Sequence, residues 1–138
     1  MKMSFVVFLL APLLIQPAKA QTDERLYGTW HPVTYEVAGR PTPVEGLMVI
    51  TKGYFIGNIT FDQDGDGVLE ANANCGPISV EDGRIKIVQW MQLHWRENDP
   101  EGNFLAEGVP EEVEYTIEDE RLVFHFPSGN RYISERLE

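Results

Sequence analysis

The chain lacks most of the features that would place it in a functional class at sight. Of its 138 residues only Cys75 is a cysteine, so no disulfide within the chain can staple the fold. That single thiol has three readings: a small buried packing residue, a reactive group, or half of an intermolecular bridge. His31, His94 and His125 stand far apart, and no Cys-x-x-Cys or His-x-x-x-His frame offers zinc its usual ligand spacing. The Gly-x-Ser-x-Gly, phosphate-loop and dinucleotide-binding fingerprints are absent. Basic residues are scarce, 11 Lys and Arg against 22 Asp and Glu for a formal charge of −11, and such a chain repels nucleic acid and anionic membrane surfaces. Helical periodicity is almost missing, and one apolar run, Phe5 to Ile15, is the longest.

That run belongs to a leader. Met1 to Ala20 has a basic start at Lys2, the apolar run, and the small-residue ending Ala18-Lys19-Ala20, which is the pattern of a secretory signal peptide. It is short of the roughly 20 residues of a membrane-spanning helix, and no Cys follows Ala20 to take a lipid. The expected product is one domain, residues 21–138, in a secreted or periplasmic setting. Loss of Lys2 and Lys19 leaves nine basic residues against the same 22 acids, a formal −13. The late acids, Glu111, Glu112, Glu114, Glu118, Asp119 and Glu120, interleave with apolar residues, as on the wet face of a strand.

What is present is an all-β pattern. Short runs rich in β-branched and aromatic residues predict strands near Thr29 to Val37, Leu47 to Thr51, Tyr54 to Phe61, Val68 to Asn74, Ile78 to Val80, Arg84 to Trp95, Glu112 to Glu118, Leu122 to Phe126 and Asn130 to Leu137. Most connections are two to six residues, which forces successive strands to run antiparallel, up and down. Gly39 to Gly46 and Arg96 to Glu111 are expected as long loops. In Glu112 to Glu118, Val113, Tyr115 and Ile117 share a dry face. Arg84 to Trp95 is apolar on both faces. Closing such strands removes their exposed edges, and about eight make a barrel just wide enough to be filled by side chains or to hold one small ligand.

Leu26-Tyr27-Gly28-Thr29-Trp30 sets a Gly-x-Trp at the start of the first strand, and a meander of strands follows to the end of the chain. This resembles the lipocalins and the wider calycin group, most closely bacterial lipocalin-like domain proteins. The resemblance implies a small barrel with Gly28, Trp30 and a late basic residue as its signature. It also implies that a basic residue of the last strand covers the indole, which here points to Arg136, with Arg131 as the alternative. A guanidinium on an indole face contributes roughly 0.5 to 2 kcal/mol and would close the barrel's base.

Phe61 to Ala73, FDQDGDGVLEANA, carries the one metal-like motif. Asp62, Asp64, Asp66 and Gly67 match positions 1, 3, 5 and 6 of a calcium loop, yet position 12 is Ala73 instead of a bidentate Glu, and strands flank the loop where helices are required. Asp and Gly also supply the capped bends of a hairpin turn, so a turn and a weak calcium site both stand. For function, the first expectation is a barrel that binds a small, mostly apolar molecule at one open end. Tyr35, Tyr54, Phe55, Trp90, Trp95 and Tyr115 are the candidates to line it, core packing being the other fate of each. The second is an exported interaction or structural module with a filled barrel and a protein partner. The third, which the sequence supports least, is an isomerase or cyclase, since small barrels host such enzymes.

Overall fold

The computed structural model describes residues 23–89, 91–105 and 109–137; the expected leader and Trp90 lie outside them. A 3₁₀ turn, Glu24–Leu26, precedes the strand segments β1 (Gly28–Val37), β2 (Arg40–Ile50), β3 (Tyr54–Phe61), β4 (Glu70–Glu81) and β5 (Arg84–Gln89). After these come β6 (Met91–Arg96), β7 (Asp99–Leu105), β8 (Val109–Glu118), β9 (Arg121–His125) and β10 (Arg131–Leu137). β5 and β6 follow one another along β4, β5 against Ile78 to Glu81 and β6 against Glu70 to Cys75. β7 and β8 return along them, β7 on β6 and β8 on β5. Taken in this way the chain is eight antiparallel strands in up-and-down order, and the pairing of β1 with β10, from Thr29↔Leu137 to Glu36↔Arg131, closes them into a barrel. Among the described residues β7 pairs only with β6 and leaves an open edge.

Both expected long loops are largely strand. Residues 40–46 belong to β2, whose Pro41 and Pro43 pair only with β1 because β3 begins its pairing at Val44↔Phe61. Prolines at alternate positions put their missing N–H groups on one side of a strand, here the side without a neighbour, so no ladder bond is lost. Gly46 is likewise a strand residue. A Cβ there would lie 2.0 Å from the Asn58 carbonyl oxygen, so the glycine permits close approach of β2 to β3. Residues 99–105 form β7, where an irregular register between His94 and Arg96 accommodates Pro100 and Gly102; edge position and bulge are where a strand tolerates both.

The barrel is plugged at one end. Leu26, Trp30, Ile50, Ile85, Val113 and Leu122 are fully buried and form one cluster with Phe55, Ile78 and Tyr115. The Trp30 indole N–H donates to the Leu26 carbonyl at 3.0 Å, so the 3₁₀ turn folds under the base. The Arg136 guanidinium lies 4.2 Å from the Trp30 ring centroid and donates to the carbonyls of Tyr27 and Arg25. Gly28 has φ +139°, and a Cβ there would come within 2.8 Å of Arg136 Nη1, so the glycine leaves room for the guanidinium. Trp30→Ala should cost about 3 to 5 kcal/mol as a large-to-small change in a core. A denaturant titration that shows a loss below about 1 kcal/mol would remove Trp30 from this role.

On the outer surface, paired residues on neighbouring strands share a face. One row runs Leu137–Thr29–Val49–Ile56–Cys75–Met91 across six strands. A second runs Leu47–Asn58–Ala73–Leu93–Phe104 across five. Neither contains a charged residue.

Candidate functional site

Above the plug the barrel opens into a cavity of about 230 Å³. Its floor and one wall are apolar, from Met48, Ile50, Phe55, Ile85, Ile87 and Phe124. The opposite wall, on β4 and β6, brings the amides of Asn72, Asn74 and Gln92 together with Glu111 of β8. Asn72 and Asn74 alternate with Ala71, Ala73 and Cys75, so the period of two turns the amides inward and the small residues outward. At the rim Tyr35 meets Phe61 and Tyr132 edge-on, with ring centroids 6.1 and 6.0 Å apart. The Tyr35 hydroxyl accepts from Asn130 Nδ2 at 3.2 Å. No Lys, Arg, His, Cys or Ser is among the described residues of the wall.

The six aromatic candidates distribute by strand parity. Tyr35 and Phe55 line the cavity. Tyr54, one residue before Phe55, therefore points out and is exposed. Tyr115 is buried in the plug. Trp95 is half-buried, in register with Ala71 on the outer face. Trp90 lies outside the described residues. The amides, Met48, Gly57 and Tyr132 were not singled out from sequence, although Glu70-Ala71-Asn72-Ala73-Asn74 shows the alternation that places the amides together.

Beyond the amide wall lies the loop of Asp62 to Gly67. Asp62 accepts from the backbone N–H groups of Gly65 at 2.8 Å, Asp66 at 3.1 Å and Gly67 at 2.9 Å, and Asp66 accepts from Val68 at 2.9 Å. Arg96 reaches over from β6, with Nη2 3.2 Å from Asp64 and 3.0 Å from Asp66. Its Nε is 3.8 Å from the buried carboxylate of Glu70, and His94 Nε2 stands at the same distance from that group. His94 Nδ1 is 2.7 Å from the Asn72 amide oxygen. The loop carboxylates thus have backbone donors and a guanidinium of the protein's own as counter-charge. Among the described residues no group of three or more His, Cys, Asp or Glu is disposed to hold a metal ion.

Two wider depressions, of about 280 and 330 Å³, lie outside the barrel around Arg84. Arg84, common to both, is already joined to Glu112 at 3.0 Å and to Glu114 at 2.7 Å, and Glu81, Asp82 and Lys86 also line the second. Cys75 is a free, half-buried thiol of the outer face. Compared with family models, with curated proteins and with solved structures, the chain matches none.

Two measurements check this electrostatic arrangement. Calcium at about 10 mM, against chelator and a magnesium control, should move the melting temperature by a degree or less, because the oxygens it would use are bonded to backbone N–H groups and Arg96. A calcium-selective rise that Asp64→Asn abolishes would restore the metal reading. Burial pushes the phenol of Tyr132 well above the ordinary tyrosine range, with Tyr35 adding to the shift, and burial raises Tyr115 as well. A raised folded pKa means the unfolded chain loses its proton first, so the stability tied to Tyr132 is intact below pH about 10 and declines above it, by about 1.4 kcal/mol per pH unit, and Tyr115 acts in the same direction. Absorbance at 295 nm should show the Tyr132 phenol ionising only as the protein unfolds; its smooth titration in the folded state would contradict its enclosure.

Proposed function

We propose that the protein is an exported barrel that binds one small, uncharged, amphipathic molecule in the cavity at its open end. The observation that carries this reading is the division of the cavity wall into an apolar floor and a cluster of three amides. An apolar wall favours a hydrocarbon or aromatic body, by roughly 25 cal/mol for each Å² removed from water. Amides both donate and accept, so Asn72, Asn74 and Gln92 suit a hydroxyl, carbonyl or amide head. An anionic head would find no cation in the described wall, and a cationic head would find only Glu111, which already interacts within the protein, so either would leave water at a net cost. The volume is below the roughly 300 to 1,000 Å³ of drug-sized sites, so the occupant is small, with a dissociation constant on the order of 10 to 1,000 μM. Among the described residues of the wall no nucleophile is paired with a base.

Gly57 provides the test. It lines the cavity from β3, and a Cβ there would meet Met48 Cγ at 3.6 Å and Asn74 Oδ1 at 3.7 Å, which is ordinary contact. Gly57→Leu should therefore fill the cavity and leave the barrel folded. In saturation-transfer NMR, benzamide and cyclohexanol should bind the wild type at least tenfold more tightly than benzoate or benzylamine, and binding should vanish in Gly57→Leu. Equal signals in the variant, or a preference for the charged compounds, would refute the reading.

A further inference from the structure

We infer that His94 is a positioning residue of the cavity, its protonation deciding whether Asn72 offers a ligand its amide NH₂ or its amide carbonyl. The inference rests on the cavity being a ligand site, and it adds the hydrogen-bonding class that the site takes at a given pH. Asn72 and His94 are cross-strand partners on β4 and β6, with Glu70↔Arg96 further along the same ladder. His94 is half-buried and meets the cavity wall through Asn72. Both of its ring nitrogens face oxygens. Nδ1 is 2.7 Å from Asn72 Oδ1, and Nε2 is 3.8 Å from the carboxylate of Glu70, a residue 7% exposed. An amide oxygen and a carboxylate both accept hydrogen bonds. Only the imidazolium, with a proton on each nitrogen, suits such a pair of neighbours.

The charged groups around the ring come from each neighbouring element. β4 supplies Glu70, β6 supplies Arg96, and the loop supplies Asp64 and Asp66, both joined to Arg96 Nη2. Glu97, after β6, accepts from the Leu69 N–H. β7 sets Asn103 in register with His94 and Asp99 with Arg96, and Glu101 lies between them in sequence. Arg96 Nε is buried without a hydrogen-bond partner, so the guanidinium is committed to the loop and His94 shares the neutralisation of Glu70. When the imidazolium gives a proton to water, one nitrogen must become bare. A bare Nε2 would turn its lone pair toward the Glu70 carboxylate, so Nδ1 is the nitrogen that loses its proton. Asn72 Oδ1 then meets a lone pair at hydrogen-bond distance. A half-turn of the amide brings Nδ2 to the ring instead and leaves Oδ1 for the cavity. In the charged state the end left for the cavity is the donor Nδ2; in the neutral state it is the acceptor Oδ1. Asn74 and Gln92 make no side-chain hydrogen bond to the described residues and can turn to suit either head, which limits the change in preference to a few-fold.

Two matched bicyclic compounds test this in the whole protein, at pH about 5 and about 8.5, on either side of the range in which imidazole ordinarily titrates. Indole donates one hydrogen bond through its N–H, whereas 1-indanone accepts through its carbonyl and cannot donate; neither changes charge in that range. In saturation-transfer NMR titrations the affinity for 1-indanone relative to indole should be at least threefold higher at the lower pH, and His94→Gln should make the ratio independent of pH. Nitrogen-15 NMR reads the ring without any ligand. His94 should carry protons on both nitrogens at the lower pH and on Nε2 alone at the higher. The side-chain amide signals of Asn72, identified by their loss in Asn72→Ser, should shift in step with the ring and stay fixed in His94→Gln. A purely structural His94 would move neither the ratio nor those signals. A ring that keeps one charge state throughout, a neutral ring protonated on Nδ1, or an Asn72 amide that does not follow the ring would overturn the inference, whether or not a compound binds. So would a constant ratio in the wild type when both compounds bind and Gly57→Leu abolishes their binding. Should neither compound bind, or both bind Gly57→Leu equally well, the ligand reading fails and the nitrogen-15 signals still decide the role of His94.

Discussion

The rest of the structure depends on the meeting of the two chain ends around Trp30. Arg136, in the last strand, covers the indole and donates to the carbonyls of Tyr27 and Arg25, while the indole donates to Leu26. Backbone, ring and guanidinium thereby hold β1 to β10, the pairing that closes the sheet. The contacts join residues more than a hundred positions apart, so they form at a large loop-closure cost and repay it only when the plug packs beneath them. Without closure the cavity has no enclosing wall.

The plug and the cavity divide the barrel lengthwise, and the same strands serve both. β3 gives Phe55 to the floor and Gly57 to the open part, where the missing side chain leaves space. β4 gives Ile78 to the plug and Asn72 and Asn74 to the wall. Placing amides on the concave side of β4 and β6 has a consequence for the convex side, because in a strand of alternating character the other residue class must point out. Polar lining and apolar exterior are therefore two results of one alternation.

The alternation was legible in sequence and its direction was not. In Glu112 to Glu118 the usual rule, apolar inward, assigns Val113 and Tyr115 correctly to the interior. In Glu70 to Cys75 the same rule would turn Asn72 and Asn74 out, the reverse of what the barrel does, since local pattern names two faces without saying which is concave. The Gly28, Trp30 and Arg136 arrangement could be anticipated because its residues sit at the two ends of the meander and their chemistry is specific. The β2 and β7 segments were hidden by Pro41, Pro43, Pro100 and Gly102. Those residues signal loops in isolation, and only the absence of a neighbour on one side makes them compatible with strands.

The acidic excess has a role in this arrangement that composition alone does not show. The described cavity wall carries one carboxylate and no cation, and the two outer apolar rows carry no charge, so, Glu111 and the buried Glu70 apart, the negative groups stand mainly on turns and wet faces. Charge placed there makes copies of the chain repel one another. That repulsion is screened over a Debye length of about 8 Å at physiological ionic strength, so it weakens as salt is added.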